Sequence, residues 1–237
     1  MIRSDRSKFF FSAIAQEETL KRVLPFALFM LVLAIRGFVA DSASVTDGLD
    51  ARWLYLLQAL LPLAALAAFL SAYSELRTPP RQISSSVISI AVGIGVFLLW
   101  IAPMPRWAQL GNATAPFQPV SGAGDLIWGL IGIRTFGAVL VVPLMEELFW
   151  RSFLLRWIDR RDFLAVSPAQ TSWFALIASS AVFATAHNLW LAGFAAGLVY
   201  GLLYRRLGNL WYAVLAHATT NLALAVWVVS QRSWSYW

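Results

Sequence analysis

Long apolar stretches separated by short polar segments dominate the chain. A membrane-spanning helix requires about 20 mainly apolar residues. Seven stretches approach or reach this length, at residues 23–40, 53–73, 83–102, 126–149, 171–188, 190–204 and 210–229. The sixth is the shortest, which is typical of a helix that is tilted, partly re-entrant or continuous with its neighbour. The pattern predicts an all-α, polytopic integral membrane bundle of about seven transmembrane helices.

The polar segments suggest a simple domain organisation. Residues 1–22 are polar and basic, and we interpret them as a cytoplasmic N-terminal segment before a single transmembrane domain at residues 23–237. The first apolar stretch is too long for a secretory signal peptide and lacks a small-residue cleavage site. Residues 103–124 form the longest polar stretch, which predicts an ordered external loop.

The composition agrees with a membrane protein. Hydrophobic residues make up 59% of the 237 residues and charged residues 13%, against about 45–50% and 25% in soluble domains. The chain has no cysteine, which excludes disulfides, thiolate metal sites and cysteine nucleophiles. No basic segment alternates with aromatic residues as a nucleic-acid groove requires. The expected surroundings are a lipid bilayer, with no nucleic acid.

The distribution of positive charge predicts the orientation of the bundle. Twelve of the 18 basic residues lie in the segments on the same side as the N-terminus, and three, Arg52, Arg106 and Arg232, lie on the other side. Cytoplasmic loops of membrane proteins are enriched in lysine and arginine. We therefore expect a cytoplasmic N-terminus and a location in a bacterial inner (plasma) membrane.

Two acidic residues and one basic residue stand together inside the fourth apolar stretch. Glu146, Glu147 and Arg151 follow an E-E-x-x-x-R pattern. Residues four positions apart share a helix face, so Glu147 and Arg151 can form an ion pair. Glu146 is turned by about 100° from Glu147 and stays free to accept a proton. Ionisable residues inside a span are costly, and this cost indicates a functional role.

Both histidines of the chain also lie in apolar stretches. His187 ends an F-x-x-x-H pattern that begins at Phe183, and His217 begins an H-x-x-x-N pattern that ends at Asn221. A glutamate and a histidine that converge on one water form a general base with a second proton-accepting or metal-binding partner. A second histidine and an asparagine can donate hydrogen bonds to an oxyanion. Such a set is typical of a hydrolase that cleaves amides without a covalent intermediate.

Taken in order over about residues 125–225, the three patterns resemble the CAAX prenyl protease and bacteriocin-processing (CPBP) family of intramembrane proteases. The resemblance implies an endopeptidase whose partner is a membrane-bound protein or peptide substrate, such as a lipidated C-terminus. It also implies a role for each site residue: Glu146 and His187 activate the attacking water, Glu147 and Arg151 support the site, and His217 and Asn221 form the oxyanion hole.

The resemblance leaves the role of a metal open, because both a metallopeptidase and a glutamate-based, metal-free mechanism are described for the family. Glu146, His187 and His217 are candidate ligands for one divalent metal such as Zn²⁺. A set of this size suits an open catalytic site better than a closed structural one.

Other interpretations of the same residues stay open. The chain contains no H-E-x-x-H and no G-x-S pattern, which argues against zinc site-2 and serine proteases. A non-catalytic scaffold or immunity protein would keep the fold without the chemistry. A proton-coupled transporter would also place glutamates and histidines in spans, although the internal repeat that many transporters show is absent.

Two further features of the apolar stretches lie outside the three patterns. Arg134 is expected to pair with a group of the loop near Asp125 or to extend toward the interface, and Arg36 is expected to extend outward in the same way. Three glycines at spacings of four residues, Gly193, Gly197 and Gly201, predict close packing between two helices.

Overall fold

Seven α-helices make up the part of the chain that the computed structural model describes, which is residues 3–42, 50–110 and 117–237. In chain order they are α1 (Arg3–Ser42), α2 (Leu54–Ala68), α3 (Ile83–Ile101), α4 (Trp128–Asp159), α5 (Trp173–Thr185), α6 (Trp190–Leu207) and α7 (Leu210–Gln231). Short 3-10 turns lie between them at Ala51–Trp53, Leu70–Ala72, Ser74–Leu76, Arg106–Ala108, Phe163–Ala165 and Pro168–Gln170, and a last 3-10 turn, Trp234–Tyr236, follows α7. The described residues form no β-strand, and the predicted all-α bundle is confirmed.

Several bounds differ from those expected. α1 begins at Arg3 and continues through residue 22 without a break, so no structural boundary separates the expected N-terminal segment. α4 continues ten residues beyond the expected end at residue 149. The sixth stretch is a separate helix. Residues 43–49 and 111–116, which include Asp47 and part of the expected external loop, lie outside the described residues.

α4 is the central element of the bundle. It contacts α1, α2, α5 and α7, while α3 packs along α7, α5 along α6 and α1 along α2. Within the described ranges, three helices, α3, α4 and α7, are long and apolar enough to cross a membrane. Glu146, Glu147 and Arg151 therefore lie on the helix with neighbours on most sides.

α4 is not a regular α-helix along its whole length. Gly137–Val141 and Leu148–Leu154 are π-helical. Pro143 follows the first of these stretches, and proline removes a backbone donor from the helical ladder. Insertions of this kind are frequent at functional sites, and here they enclose residues 142–147, which include the two glutamates.

The three spaced glycines pack α6 against α5, as predicted. A Cβ atom on Gly197 would lie 2.9 Å from the Cβ and 3.0 Å from the Cα of Ser180, and one on Gly193 would lie 3.3 Å from the Cα of Ala184. Only glycine leaves room for this approach. The short distance between the helices brings α6 close to the end of α5, where His187 lies.

The connecting segments lie in two groups, one at each end of the bundle, as the charge pattern predicts. At one end, the carboxylate of Glu75 accepts hydrogen bonds from Arg22 of α1 and Arg156 of α4, both at 2.8 Å. At the other end, Arg52 donates to the Gln118 carbonyl at 2.7 Å, and the Trp190 indole donates to a carbonyl of the 103–110 segment at 2.9 Å. Which end faces the cytoplasm stays a prediction.

Candidate active site

Glu147 lies at the centre of a buried network between α4 and α7. Its Oε1 lies 2.9 Å from Nδ1 of His217, and its Oε2 lies 3.1 Å from Nε of Arg151. The Glu147 side chain has no exposed surface, and those of Arg151 and His217 are 3% and 7% exposed. The predicted ion pair between Glu147 and Arg151 is confirmed, and the network also orients His217.

Glu146 points away from that network, as its rotation on the helix predicts. It lines a cavity of about 140 Å³. It is 7% exposed. Its Oε2 is sealed from solvent and has no hydrogen-bond partner among the described residues. An unpaired buried oxygen is rare in folded proteins and calls for an explanation.

His187 reaches the same cavity from a turn and not from a helix. α5 ends at Thr185, so the expectation that His187 lies within the helix is wrong by two residues. Nδ1 of His187 lies 2.9 Å from the carbonyl oxygen of Phe183. A carbonyl only accepts, so Nδ1 carries the proton and Nε2 keeps its lone pair. The turn therefore presents a basic nitrogen.

Asn221 is fixed by the irregular backbone of α4. The N–H of Val142 bonds to the carbonyl of Gly137 in the π-helical manner, and Pro143 has no N–H. The carbonyl of Ala138 is thereby left for the Asn221 side chain, whose Nδ2 donates to it at 2.7 Å. Asn221 lines the cavity with its second N–H still available for another acceptor.

Tyr200 of α6 is a site residue that the patterns do not reveal. Its ring stacks on His217 at 5.2 Å between centroids and an interplanar angle of 19°. Its hydroxyl lies 2.6 Å from Oγ1 of Thr220, which donates to the carbonyl of Gly93 at 2.8 Å. Tyr200 therefore holds the face of the His217 ring while Glu147 holds its edge.

Aromatic rings enclose His187 as well. Trp100 of α3 meets the His187 ring edge-on at 5.3 Å, and Phe183 lies 4.5 Å from it. The guanidinium of Arg151 lies 4.6 Å from the centre of the Phe183 ring, so Phe183 connects the two sides of the site by packing. Tyr236, in the turn after α7, also lines the cavity.

The six predicted residues thus divide into two groups. Four of them line one cavity, namely Glu146, His187, His217 and Asn221. Glu147 and Arg151 lie behind it: Glu147 contacts His217, and Arg151 contacts Glu147. Within the described ranges, no three His, Cys, Asp or Glu side chains are placed so that they could hold a metal ion. The three candidate ligands share the cavity without forming such a group.

A comparison with known protein families agrees with this site. Residues 127–223 match the family model described as Type II CAAX prenyl endopeptidase Rce1-like. The matched region contains all six predicted site residues and confirms the resemblance to the CPBP family. No curated protein and no solved structure matches the chain. The matched domain and the long apolar helices together identify an integral membrane protein with a protease-type domain.

Proposed function

From the Rce1-like endopeptidase domain at residues 127–223 we propose that this protein hydrolyses a peptide bond in a membrane-associated protein or lipidated C-terminus. The observation that carries the proposal is the buried, unpaired oxygen of Glu146. It belongs to a cavity that also contains two histidines and an asparagine.

Glu146 is the general base of the proposed reaction. Its carboxylate takes a proton from a water molecule, and the oxygen of that water attacks the carbonyl carbon of the substrate. His187 Nε2 accepts the second hydrogen bond of the water and so orients it. Glu146 then returns the proton to the leaving amide nitrogen, and the C–N bond breaks to give a carboxylic acid and an amine.

His217 and Asn221 stabilise the oxyanion that forms during the attack. The side-chain amide of Asn221 has two N–H groups. One donates to the carbonyl of Ala138, and the other is left to donate to the oxyanion. Glu147 accepts a hydrogen bond from Nδ1 of His217, so donation to the oxyanion requires the imidazolium form of His217, in which Nε2 also carries a proton. Donors that are fixed before the reaction cost no reorganisation when the charge develops. Glu147, Arg151 and Tyr200 act as positioning residues because they hold His217 and contact no reacting atom.

The donor geometry favours water activation by Glu146 without a metal ligand triad, since no group of three donors converges in the described part of the chain. A chelator such as 1,10-phenanthroline is therefore expected to leave the cleavage rate of the purified protein unchanged. Loss of activity that Zn²⁺ restores would instead assign the metallopeptidase class.

The test compares the termini of membrane proteins, by mass spectrometry, in cells that express the wild type, Glu146→Gln or Glu17→Gln. The glutamine at 146 cannot accept the proton, so we expect cleavage to fall about 10²–10⁴-fold. Glu17 is exposed and serves as the matched control, with wild-type cleavage expected.

Two outcomes contradict the proposal. Full cleavage by Glu146→Gln would remove Glu146 from the reaction. Identical termini with and without the wild-type protein, in cells where it is folded and abundant, would favour the scaffold or transporter interpretation.

A further inference from the structure

The arginines that lie inside the bundle are of two kinds. Arg22, Arg151 and Arg156 are fully buried, and each has a carboxylate oxygen within 3.1 Å. Arg36 of α1 and Arg134 of α4 are half-buried, and neither forms an ion pair with a described residue. The expected partner of Arg134 near Asp125 is therefore not found.

Both arginines lie close to the same two aromatic rings, those of Tyr55 and Phe117. The guanidinium carbon of Arg134 lies 4.8 Å from the Tyr55 ring centre and 5.0 Å from that of Phe117. For Arg36 these distances are 5.3 Å and 5.8 Å. Because both carbons are this close to the Tyr55 ring centre, they are at most about 10 Å apart. The two cations therefore belong to one aromatic cluster.

Few acceptors among the described residues meet the N–H groups of the pair. Arg36 donates to the side-chain oxygen of Gln58. Arg134 makes no hydrogen bond with a described residue, and its Nε is sealed from solvent without a partner. Cation–π contacts stabilise each guanidinium, but the aromatic rings accept none of its in-plane N–H bonds. An anionic oxygen group satisfies these donors and offsets the repulsion between the charges.

We infer that Arg36 and Arg134 form a binding site for a phosphate group, beside the aromatic rings of Tyr55 and Phe117. The planar guanidinium fork matches phosphate geometry and binds it through two parallel hydrogen bonds. The site is separate from the catalytic cavity, so its occupancy does not depend on the proposed cleavage reaction.

The depth of the pair favours a lipid headgroup as the source of the phosphate. Arg134 lies six residues inside the start of α4 and Arg36 six residues before the end of α1, which is about 9 Å in each case. Long side chains cover such a distance toward the interface. Trp53 and Trp128 are 44% and 67% exposed at this end, as expected of residues at headgroup level.

The surface next to Arg36 also fits a lipid. Leu33 and Ile35 on α1 are 42% and 46% exposed, and in a bilayer such residues contact acyl chains. A phospholipid whose chains lie along this part of α1 would bring its phosphate to the arginines.

The experiment measures lipid binding to the full chain after purification and delipidation in a non-ionic detergent. Native mass spectrometry gives the affinity for phosphatidylglycerol and for a diacylglycerol with the same acyl chains but no phosphate. A further arm adds inorganic phosphate in place of lipid. The variants are Arg36→Gln, Arg134→Gln and their combination, and Arg106→Gln is the matched control because Arg106 is exposed at the same end.

The wild type is expected to bind phosphatidylglycerol at least about tenfold more tightly than diacylglycerol, since charge-assisted hydrogen bonds to each arginine are lost without the phosphate. The double variant is expected to lose this preference, whereas Arg106→Gln keeps it. Inorganic phosphate that binds in place of the lipid and is lost in the double variant would keep the site and change the source to the free ion.

The affinities for the two lipids are compared within each protein, so a less stable variant still shows whether it prefers phosphatidylglycerol. A parallel melting experiment records whether phosphatidylglycerol raises the unfolding temperature of each protein more than diacylglycerol does. A wild-type preference retained by the double variant would overturn the assignment. So would displacement of the lipid by a short peptide with a free C-terminal carboxylate but not by its amide, because the ligand would then be a carboxylate.

Discussion

Two clusters of buried charge lie on α4, about two turns apart, and they differ in how completely their groups are bonded. At Glu75, both carboxylate oxygens accept hydrogen bonds from Arg22. Arg156 and the Ser152 hydroxyl also donate to this carboxylate. In the candidate active site, by contrast, Glu147 is held by His217 and Arg151, whereas Oε2 of Glu146 has no hydrogen-bond partner among the described residues.

The difference shows how to separate structural charge from reactive charge in a membrane bundle. Both clusters bury carboxylates, and both contain arginine, so burial and residue type do not distinguish them. A carboxylate whose bonds are complete can only hold elements together. One whose bonds are incomplete is placed to bind another molecule, and Glu146 lines a cavity of about 140 Å³, which has room for water.

Removal of Glu75 is expected to have the largest effect on stability. Glu75→Ala leaves Arg22 and Arg156 buried without this carboxylate, and breaking a buried ion pair costs about 3–5 kcal/mol. The free energy of unfolding in detergent measures the effect. Glu17→Ala is the control, because Glu17 pairs with Lys21 at the surface, where an ion pair contributes about 0–1 kcal/mol. Equal losses of unfolding free energy in the two variants would show that the Glu75 cluster contributes no more to stability than a surface ion pair.

Acid should remove the same stabilisation without a mutation. Burial alone raises the pKa of the Glu75 carboxyl, but Arg22 and the Ser152 hydroxyl outweigh burial and lower this pKa to about 2. Because the folded-state pKa is the lower one, the contribution is complete above the unfolded value of about 4.3 and is lost as the pH falls toward 2. Unfolding temperatures of the wild type and Glu75→Gln should therefore converge between pH 4.5 and 2, and a constant gap would contradict this.

A change at Tyr200, in the candidate active site, is expected to have a smaller effect on stability. Tyr200→Phe keeps the ring against His217 and removes the hydroxyl that bonds to Thr220. One such hydrogen bond contributes about 1 kcal/mol to stability. The cleavage rate should fall less than in Tyr200→Leu, which also loses the stacked ring. If both variants cleave at the wild-type rate, the ring does not position His217.

The sequence predicts the contacts within one helix and the placement of residues on its faces. Glu147 and Arg151 are four residues apart, and their ion pair forms although a π-helical stretch begins between them. The opposite direction of Glu146 follows from the same helical geometry. These features depend on local geometry, and a single sequence contains that information.

Contacts between helices are not contained in any local pattern. The bond between Glu147 and His217 requires α4 and α7 to meet, and the stacked Tyr200 looks like any other aromatic residue of an apolar helix. The surroundings of Arg134 come from α2, from Phe117 and from Trp237. Its partners are therefore rings from three separate regions, whereas the sequence pointed to a nearby loop.

The smallest expected effect on stability is the one that separates the two clusters most clearly. Oε2 of Glu146 has no hydrogen-bond partner among the described residues, so Glu146→Gln removes no bond at that atom, and a neutral amide costs less to bury than a carboxylate. The free energy of unfolding should therefore change by less than about 0.5 kcal/mol or increase, while Glu75→Gln loses several times that amount. A cost for Glu146→Gln as large as that for Glu75→Gln would mean that Glu146 is bonded within the fold. Its carboxylate would then be structural. The difference between the fully bonded cluster at Glu75 and the incompletely bonded one at Glu146 would no longer identify the reactive group.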